Sequence, residues 1–370
     1  DQVSAKRLPL SFELELTARC NNNCRHCYIN LPANDCIASA QEMSFQQIEA
    51  IADQAVEMGI IWLTLTGGEP LLRSDFDEIY LMLKRKGFLI NLFTNACLIT
   101  DRYIQLFKKY PPRDIEVTVY GITEETYEAV SRVESTYRAF RRGLEMLLSN
   151  NLPVTLKAMA LKSNQHELKA ISDSCSKHSY RPFRFDPVLH LRYDRNEYRN
   201  AEIKLERLEP DEVVRLEMSD EARFLSLQKN CDSLLKHETL DYHTCTNCLQ
   251  QAGCDQYASF SKLFHCGIGK DEFSISYDGQ LRLCSTLNAP GTSVDLHKTP
   301  LKQGLNDLKT NIYSKTTRSP AILQSCKSCP ITNLCLWCPA TAYLETGDME
   351  GEAAYFCAVA HARAEALQTS

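Results

Sequence analysis

Strand-like and helix-like segments alternate six times between residues 11 and 190. The strand candidates are short apolar or alternating runs between turn residues, and they span 11–17, 61–65, 88–93, 115–120, 154–161 and 183–187. Parallel neighbours need a crossover between them, usually a helix, so this alternation predicts a parallel sheet. We therefore expect an α/β fold, a partial (β/α)6 TIM-like barrel over residues 11–190.

Two of the intervening helices carry recognisable start signals. Ser44 and Gln47 have the spacing of a capping box, and Gly59 follows that helix as its stop. Asp75 and Glu78 predict a second capping box. Both helices are expected to begin at these residues.

The loops that follow the first three strands contain the residues best suited to chemistry. Residues 20–27 follow the first strand, 67–70 the second and 94–95 the third. In barrels of this kind the reactive groups gather in the loops after the strands. We expect all three segments to meet at one rim.

The first of these loops holds three cysteines, Cys20, Cys24 and Cys27. They supply one thiolate fewer than the four that close a structural metal site. An iron–sulfur cluster held by three thiolates leaves one iron open to another ligand. Taken alone, the three side chains are also compatible with core positions or with part of a zinc site.

The three cysteines and the segment Thr-Gly-Gly-Glu-Pro at 66–70 together resemble the radical S-adenosylmethionine (radical SAM) superfamily. The resemblance implies a [4Fe–4S] cluster on Cys20, Cys24 and Cys27, with S-adenosylmethionine (SAM) chelating the fourth iron. It also implies reductive cleavage of SAM to a 5′-deoxyadenosyl radical, which abstracts a hydrogen atom from the substrate. Further SAM-binding residues implied by the resemblance are His26, Gly67, Gly68, Glu69, Pro70, Asn95 and Thr118.

These residue types suit their implied roles. Gly67 and Gly68 permit close backbone approach, and Glu69 can make a charge-assisted bond to the SAM ammonium. Thr118 matches the ribose-contacting position. His26 stands where the family usually has an aromatic residue, and its ring can still pack on adenine.

A second set of cysteines lies between residues 266 and 357. Its two CxxC units would by spacing alone suggest a zinc knuckle. Together with the N-terminal motif, the set resembles the SPASM extension of radical SAM enzymes. In that extension the last cysteine pair is usually separated by three residues, whereas Cys335 and Cys338 of this chain are separated by two. The resemblance implies one auxiliary [4Fe–4S] cluster on Cys326, Cys329, Cys335 and Cys357. It implies another on Cys266, Cys284 and Cys338, and we expect Cys254 as its fourth ligand.

The remaining cysteines receive weaker predictions. Cys245 and Cys248 lie close to Cys254 in the sequence. They can belong to a metal site, or one of them can be a thiol that donates a hydrogen atom to a product radical. The other four, which we expect to pack as small apolar side chains, are Cys36, Cys97, Cys175 and Cys231. Seventeen cysteines in 370 residues fall below the ~8–10% typical of disulfide scaffolds.

The predicted domains are a lead-in (1–10), the barrel (11–190), a charged connection (191–240) and a SPASM domain (241–370). We interpret the connection as a solvated face with a helix from Asp211 onward. The net charge of −6 argues against nucleic acid as a partner. No apolar run approaches the roughly 20 residues of a membrane span, and no signal peptide is evident, which predicts a cytoplasmic protein.

Most SPASM enzymes that this chain resembles modify ribosomally made peptides, by thioether or carbon–carbon crosslinks or by epimerisation. We expect a peptide substrate, an electron donor such as a flavodoxin or ferredoxin, and leader recognition by a separate protein or by the barrel. Ser285 stands where sulfatase maturases have an aspartate base, which argues against that activity. A dehydrogenase or decarboxylase of a small metabolite and a non-enzymatic metal scaffold are the alternatives.

No catalytic residue is assigned from the sequence. Tyr120, Lys157 and Arg184 lie on or near predicted strand ends, where they can face the cavity.

Overall fold

The computed structural model describes residues 9–235, 262–264, 266–317, 319, 322, 326, 329–335 and 337–369, without the side chains of 222, 230–235 and 369. Within these ranges no helix is long and apolar enough to cross a membrane. The chain divides into two compact units, Asp1–Arg207 with Gly267–Lys309, and Leu208–Cys266 with Thr310–Ser370. The domain boundaries expected from the sequence stay predictions beside this division.

Eleven strands are described. They are β1 (Ser11–Glu15), β2 (Arg19–Cys20), β3 (Leu31–Pro32), β4 (Trp62–Thr66), β5 (Leu89–Thr94), β6 (Asp114–Thr118), β7 (Val154–Met159), β8 (Arg184–Asp186), β9 (Glu272–Ile275), β10 (Gln280–Arg282) and β11 (Ser293–Asp295). Nine of them form one sheet in the order β11-β10-β9-β1-β4-β5-β6-β7-β8, and β2 pairs with β3. The six strands β1 and β4 to β8 are parallel, which confirms the predicted α/β partial barrel.

Strands β9 to β11 extend this sheet beyond the six predicted strands. β9 runs parallel to β1, with Ser11 opposite Glu272, and β10 and β11 continue in antiparallel pairing. In the sequence these strands fall within the predicted SPASM domain of 241–370, and in the structure they belong to the compact unit that contains the barrel.

Thirteen α-helices are described. They are α1 (Cys36–Gln41), α2 (Phe45–Glu57), α3 (Phe76–Arg85), α4 (Asp101–Lys109), α5 (Glu124–Ser131), α6 (Thr136–Ser149), α7 (Leu168–Cys175), α8 (Glu197–Glu206), α9 (Pro210–Ser219), α10 (Glu221–Leu235), α11 (Leu301–Ser314), α12 (Pro339–Thr346) and α13 (Ala354–Thr369). Most helices of the barrel follow one strand and precede the next, as a parallel sheet requires.

One of the two predicted capping boxes forms. Ser44 and Gln47 cap α2 reciprocally, and Gly59 follows with a φ of +79°. The prediction for Asp75 was wrong, because its side chain makes no cap bond at α3. Its carboxylate instead accepts two hydrogen bonds from the Arg73 guanidinium, at 2.9 and 2.7 Å.

The two faces of the parallel strands differ in polarity. Leu14, Leu65 and Val117 belong to the face that is fully buried. The alternate residues of β6 and β7, among them Glu116 and Lys157, line a cavity. Successive strand residues point to opposite faces of the sheet. The buried apolar residues therefore lie on the outer face of the barrel, and the polar residues lie on its inner face.

Candidate functional site

A cavity of about 320 Å³ opens at the carboxyl ends of the parallel strands. Eight of the sequence-predicted site residues line it: Cys20, Cys24, His26, Cys27, Gly67, Gly68, Asn95 and Thr118. Glu69 and Pro70 are buried next to this segment. The three loops expected at one rim therefore surround one space.

The cysteine loop presents its sulfur atoms among hydrogen-bond donors. The backbone N–H of Asn22 donates to Cys20 Sγ and that of Asn30 donates to Cys27 Sγ, each at 3.4 Å. Asn95 Nδ2 lies 3.8 Å from Cys20 Sγ. Hydrogen bonds of this kind adjust the reduction potential of an iron–sulfur cluster.

Burial shapes the protonation of these thiols. It raises the pKa of Cys20 well above its ordinary value, with Cys24 and Glu69 adding to the effect. Burial and the neighbouring Cys27 raise the pKa of Cys24 to about 12. The raised pKa values keep Cys20 and Cys24 protonated until a metal displaces the protons, so loading should be coupled to proton release. Three convergent thiols with donors on sulfur fit a three-cysteine cluster.

The glycine segment runs directly against the backbone that leads into the cysteine loop. Gly68 N donates to Thr17 O at 2.7 Å. A Cβ would lie 2.2 Å from Thr17 O at Gly67, whose φ is +134°, and 2.3 Å from Arg19 O at Gly68. Both positions require glycine, since a Cβ essentially never approaches a backbone oxygen this closely.

Glu69 joins the ends of β4 and β5. Its fully buried carboxylate accepts from Leu71 N at 3.1 Å, from Thr94 Oγ1 at 2.8 Å and from Asn95 N at 2.8 Å. Burial raises the pKa of Glu69 to about 7, although these three donors oppose the rise. A cation bound beside it would favour the charged form.

His26 and Tyr120 lie together on the cavity wall. Their ring centroids are 5.3 Å apart in an edge-on contact. Burial lowers the pKa of His26 to about 4, which keeps the ring neutral. His26 Nδ1 is buried and has no hydrogen-bond partner among the described residues.

Two arginines that the sequence analysis missed support the cysteine loop. Arg192, only 3% exposed, donates through Nη1 to Asn30 O at 3.2 Å and to Asn30 Oδ1 at 3.0 Å. Arg199 Nη2 donates to Cys24 O at 3.0 Å. The interpretation of residues 191–240 as a solvated face was wrong for both, because their guanidinium groups turn inward onto loop carbonyls. Nothing in their sequence context distinguishes them from the solvated charges nearby.

A second cavity, of about 580 Å³, lies within the unit that holds most of the C-terminal cysteines. Four cysteines line it: Cys326, Cys329, Cys335 and Cys357. Trp337 also lines it, and its backbone N–H donates to Cys335 Sγ at 3.4 Å. These are the four residues that the resemblance assigns to one auxiliary cluster.

The four thiols influence one another. Burial raises the pKa of Cys326, and Cys335, Cys357 and Cys329 add to it. Among the residues that the structure describes, no three metal-ligating side chains are close enough to hold a single ion.

The residues expected to hold the other auxiliary cluster are only partly described. Cys338 caps α12, accepting from Thr341 N at 3.4 Å. Cys266 is exposed, and Cys284 follows β10. Cys254, with Cys245 and Cys248, lies outside the described residues, so this ligand set stays a prediction.

The four other cysteines divide by exposure. Cys97 and Cys175 are buried, as expected for small apolar side chains. Cys36 is exposed, which contradicts that expectation. The side chain of Cys231 lies outside the described part of the chain.

Sequence comparison matches residues 14–175 to the radical SAM superfamily. An AdoMet-dependent heme synthase of Methanosarcina barkeri is 21% identical over 95% of this chain and 97% of its own length. A probable GTP 3′,8-cyclase of Methanothermobacter marburgensis is 31% identical over 46% of this chain and 55% of its own length.

Two solved structures share the fold. Streptococcus suis SuiB, bound to its precursor peptide SuiA, matches with a TM-score of 0.64 and 16% identity, over 95% of this chain and 76% of that one. The protein anSMEcpe with bound AdoMet matches with a TM-score of 0.64 and 15% identity, over 98% and 94% of the two chains.

Proposed function

We propose, from the match of residues 14–175 to the radical SAM superfamily, that the chain cleaves SAM reductively and uses the resulting 5′-deoxyadenosyl radical to abstract a substrate hydrogen. One observation carries the proposal. The three thiols of the cysteine loop and the Gly67–Gly68 segment line the same cavity.

Each residue has a defined task in this proposal. Cys20, Cys24 and Cys27 would hold a [4Fe–4S] cluster, which supplies the electron for cleavage when bound. Gly67 and Gly68, which pack against the backbone at Thr17 and Arg19, would offer their carbonyl groups to the methionine ammonium of SAM, and Glu69 would add its carboxylate.

The nucleoside end would meet different residues. Thr118 lies at the end of β6 on the cavity wall, within the segment expected to contact ribose. The neutral His26 ring, with its unpartnered Nδ1, can pack on adenine and accept a hydrogen bond. The Asn95 side chain donates to Asn21 Oδ1 and accepts from Cys97 N, and these two hydrogen bonds hold the loops of the rim together.

We propose further that the second unit holds an auxiliary [4Fe–4S] cluster on Cys326, Cys329, Cys335 and Cys357. Their shared cavity supports this assignment. Cys266, Cys284 and Cys338, with Cys254, would hold another. Such clusters can pass an electron to or from a substrate radical, because their potentials span a wide range.

A ribosomally made peptide is the substrate that we propose, crosslinked or epimerised by the radical. Support comes from the shared fold with SuiB, whose structure contains a precursor peptide, and this support is fold-level analogy. A flavodoxin or ferredoxin would then supply electrons in the cytoplasm, and leader recognition would use a separate protein or the barrel.

A small-metabolite radical enzyme is the second candidate. It is favoured by the alignment with the heme synthase, which covers nearly the whole of both chains. Radical dehydrogenation or decarboxylation of a small metabolite, such as a sugar or an amino acid, would use the same cavity.

Iron and sulfide analysis of the anaerobically purified protein tests the cluster assignments. Three four-iron clusters predict about twelve irons per chain. Replacing Cys326 and Cys335 together by alanine should remove about four, and replacing Cys20 and Cys24 should remove a different four. Zinc without iron would refute the radical proposal and support a metal scaffold.

The neighbouring genes distinguish the two substrate classes. A short precursor-peptide gene beside this one is expected, and that peptide should change mass when incubated with the reduced enzyme and SAM. Neighbours devoted to sugar or cofactor synthesis would contradict the peptide proposal.

A further inference from the structure

Another cavity, of about 190 Å³, lies beside the cysteine loop within the unit that contains the barrel. Tyr28 and Ile29 are the two residues that it shares with the lining of the SAM cavity. Its volume is about six times the ~30 Å³ that a water molecule occupies in the liquid. The cavity can therefore hold a small organic group.

Three tyrosines line this space, which we call the tyrosine cavity: Tyr28, Tyr193 and Tyr277. The ring centroids of Tyr28 and Tyr193 are 4.6 Å apart, and Tyr193 N donates to Tyr28 O at 3.2 Å. Tyr277 lies in the turn between β9 and β10, and its carbonyl oxygen accepts from Met43 N at 2.9 Å. These backbone bonds hold the walls in place, and the faces of tyrosine rings attract cations.

A buried carboxylate also lines the tyrosine cavity. Glu15 is the last residue of β1, and only 5% of it is exposed. Among the residues that the structure describes, no ion pair includes Glu15, whereas the neighbouring Arg19 and Arg73 pair with other carboxylates. A buried carboxylate without a paired cation is costly, so this position favours an added cation.

Negative charge exceeds positive charge in the lining of the tyrosine cavity. Its five charged residues are Glu15, Arg192, Asp194, Asp278 and Arg282. Arg192 and Asp194 pair with each other at 2.7 Å, which leaves Arg282 to balance two carboxylates. Glu13, which also acts on Glu15, is a further carboxylate. One added cation would balance the lining.

The protonation of Glu15 agrees with this excess. Burial raises its pKa to about 7, Arg282 and the Tyr277 backbone oppose the rise, and Glu13 and Asp278 add to it. At pH 7.5 the carboxyl group is mostly ionised, and a cation bound beside it would favour the ionised form further.

Arg282 adds a need for a hydrogen-bond acceptor. Its Nε is buried and has no hydrogen-bond partner among the described residues. A buried donor without a partner loses free energy that an acceptor restores. A ligand with a carbonyl oxygen next to its ammonium group can serve both Glu15 and Arg282.

We propose that the tyrosine cavity binds an α-ammonium group together with its adjacent carbonyl oxygen. The ammonium would lie between Glu15 and the tyrosine rings, and the oxygen would accept from Arg282 Nε. A peptide N-terminus and a free amino acid share this chemistry. A divalent metal ion fits less well, because such ions take several oxygen ligands and gain little from ring faces.

The inference goes beyond the proposed function, since the site lies outside the SAM cavity and its occupation requires no SAM cleavage. Saturation-transfer NMR on the cluster-loaded protein at pH 7.5 tests it by binding alone. The probes are alaninamide, N-acetylalaninamide, propylamine and alanine.

Alaninamide should bind at least about tenfold more tightly than N-acetylalaninamide, because the acetylated probe lacks the charged donor. It should bind about fivefold more tightly than propylamine, which lacks the acceptor for Arg282. Tighter binding of alaninamide than of alanine would identify a peptide N-terminus as the ligand, and the reverse would identify a free amino acid; both results support the site.

The variants localise the effect. Glu15→Gln should weaken alaninamide about tenfold or more. Tyr277→Leu should weaken it about threefold through the loss of one ring face. Arg282→Met should abolish the preference for alaninamide over propylamine. The matched control is Glu57→Gln, a change at an exposed carboxylate that should alter none of these affinities.

Three results would overturn the inference. Equal binding of alaninamide and its acetylated form would do so, as would a Glu15→Gln variant that binds alaninamide like the parent. Loss of alaninamide binding when SAM is added would assign the probe to the SAM cavity instead. If Glu15→Gln does not fold, Tyr277→Leu and Arg282→Met decide the question, because unchanged binding of all probes in both would refute the site.

Discussion

Replacing Glu69 by glutamine separates what this carboxylate does for the fold from what it does for SAM. The substitution keeps the shape of the side chain and removes its charge. At a fully buried position with three donors around it, the two effects have opposite signs.

The stability effect follows from the raised pKa. The folded-state pKa of Glu69 is about 7, against an ordinary value of 4.5. A raised carboxyl pKa means that stability is fully present below pH 4.5 and is lost as the pH rises toward 7. A shift of this size corresponds to at most about 3 kcal/mol. Glutamine resembles the protonated acid and does not incur this loss.

Glu69→Gln should therefore match the parent protein near pH 5 and exceed it in free energy of unfolding near pH 8, by up to about 3 kcal/mol. Its affinity for SAM should fall about ten- to a hundredfold, because the ammonium loses a charge-assisted hydrogen bond. Urea unfolding without SAM and equilibrium binding of SAM measure the two quantities.

The exposed Glu57→Gln variant is the control, and it should alter neither measurement. If Glu69→Gln were less stable than the parent by more than about 1 kcal/mol at pH 8, the carboxylate would be a structural anchor. Unchanged SAM affinity would refute its assigned role.

Three further predictions use other contacts. Gly68→Ala should lower the free energy of unfolding by about 1–3 kcal/mol and weaken SAM binding, because its Cβ would lie 2.3 Å from a backbone carbonyl oxygen. The control is Gly59→Ala, whose Cβ meets open space and which should cost only about 1 kcal/mol of backbone strain. Urea unfolding measures both. Arg192→Gln should lower the iron content after reconstitution, since it removes donors from the cysteine loop; full iron loading would contradict this. Glu217→Gln should lower the free energy of unfolding by about 3 kcal/mol, because it removes the carboxylate whose Oε1 lies 2.6 Å from Nη2 of Arg363 and leaves that guanidinium buried without a counter-charge. An unchanged urea midpoint would contradict this.

The barrel was predictable because its signals are local. Each parallel strand has a buried apolar face, and the capping box at Ser44 forms through residues three apart. The capping box at Asp75 was wrongly predicted because the Arg73 guanidinium, two residues away, donates to the Asp75 carboxylate. A charged donor of this kind competes successfully with the neutral backbone N–H groups of the helix.

The sheet extension was not predictable in the same way. It joins Ser11 to Glu272, and no local pattern specifies a pairing over that separation. The inward turn of Arg192 likewise depends on the loop carbonyls that it meets in the folded chain.

The candidate site was predicted by resemblance rather than by spacing. The order of the cysteines indicated which side chains share a cavity. For Lys157 the sequence predicted only a position near the end of a strand. Its contacts with Glu116 and Phe93 depend on the register of three neighbouring strands, which the sequence does not specify.

Formation of 5′-deoxyadenosine tests the central claim most directly. The anaerobically reconstituted protein, given SAM and a strong one-electron reductant, should produce 5′-deoxyadenosine and methionine, and Cys24→Ala should abolish both products. No cleavage by the iron-loaded parent, or undiminished cleavage by Cys24→Ala, would contradict the account.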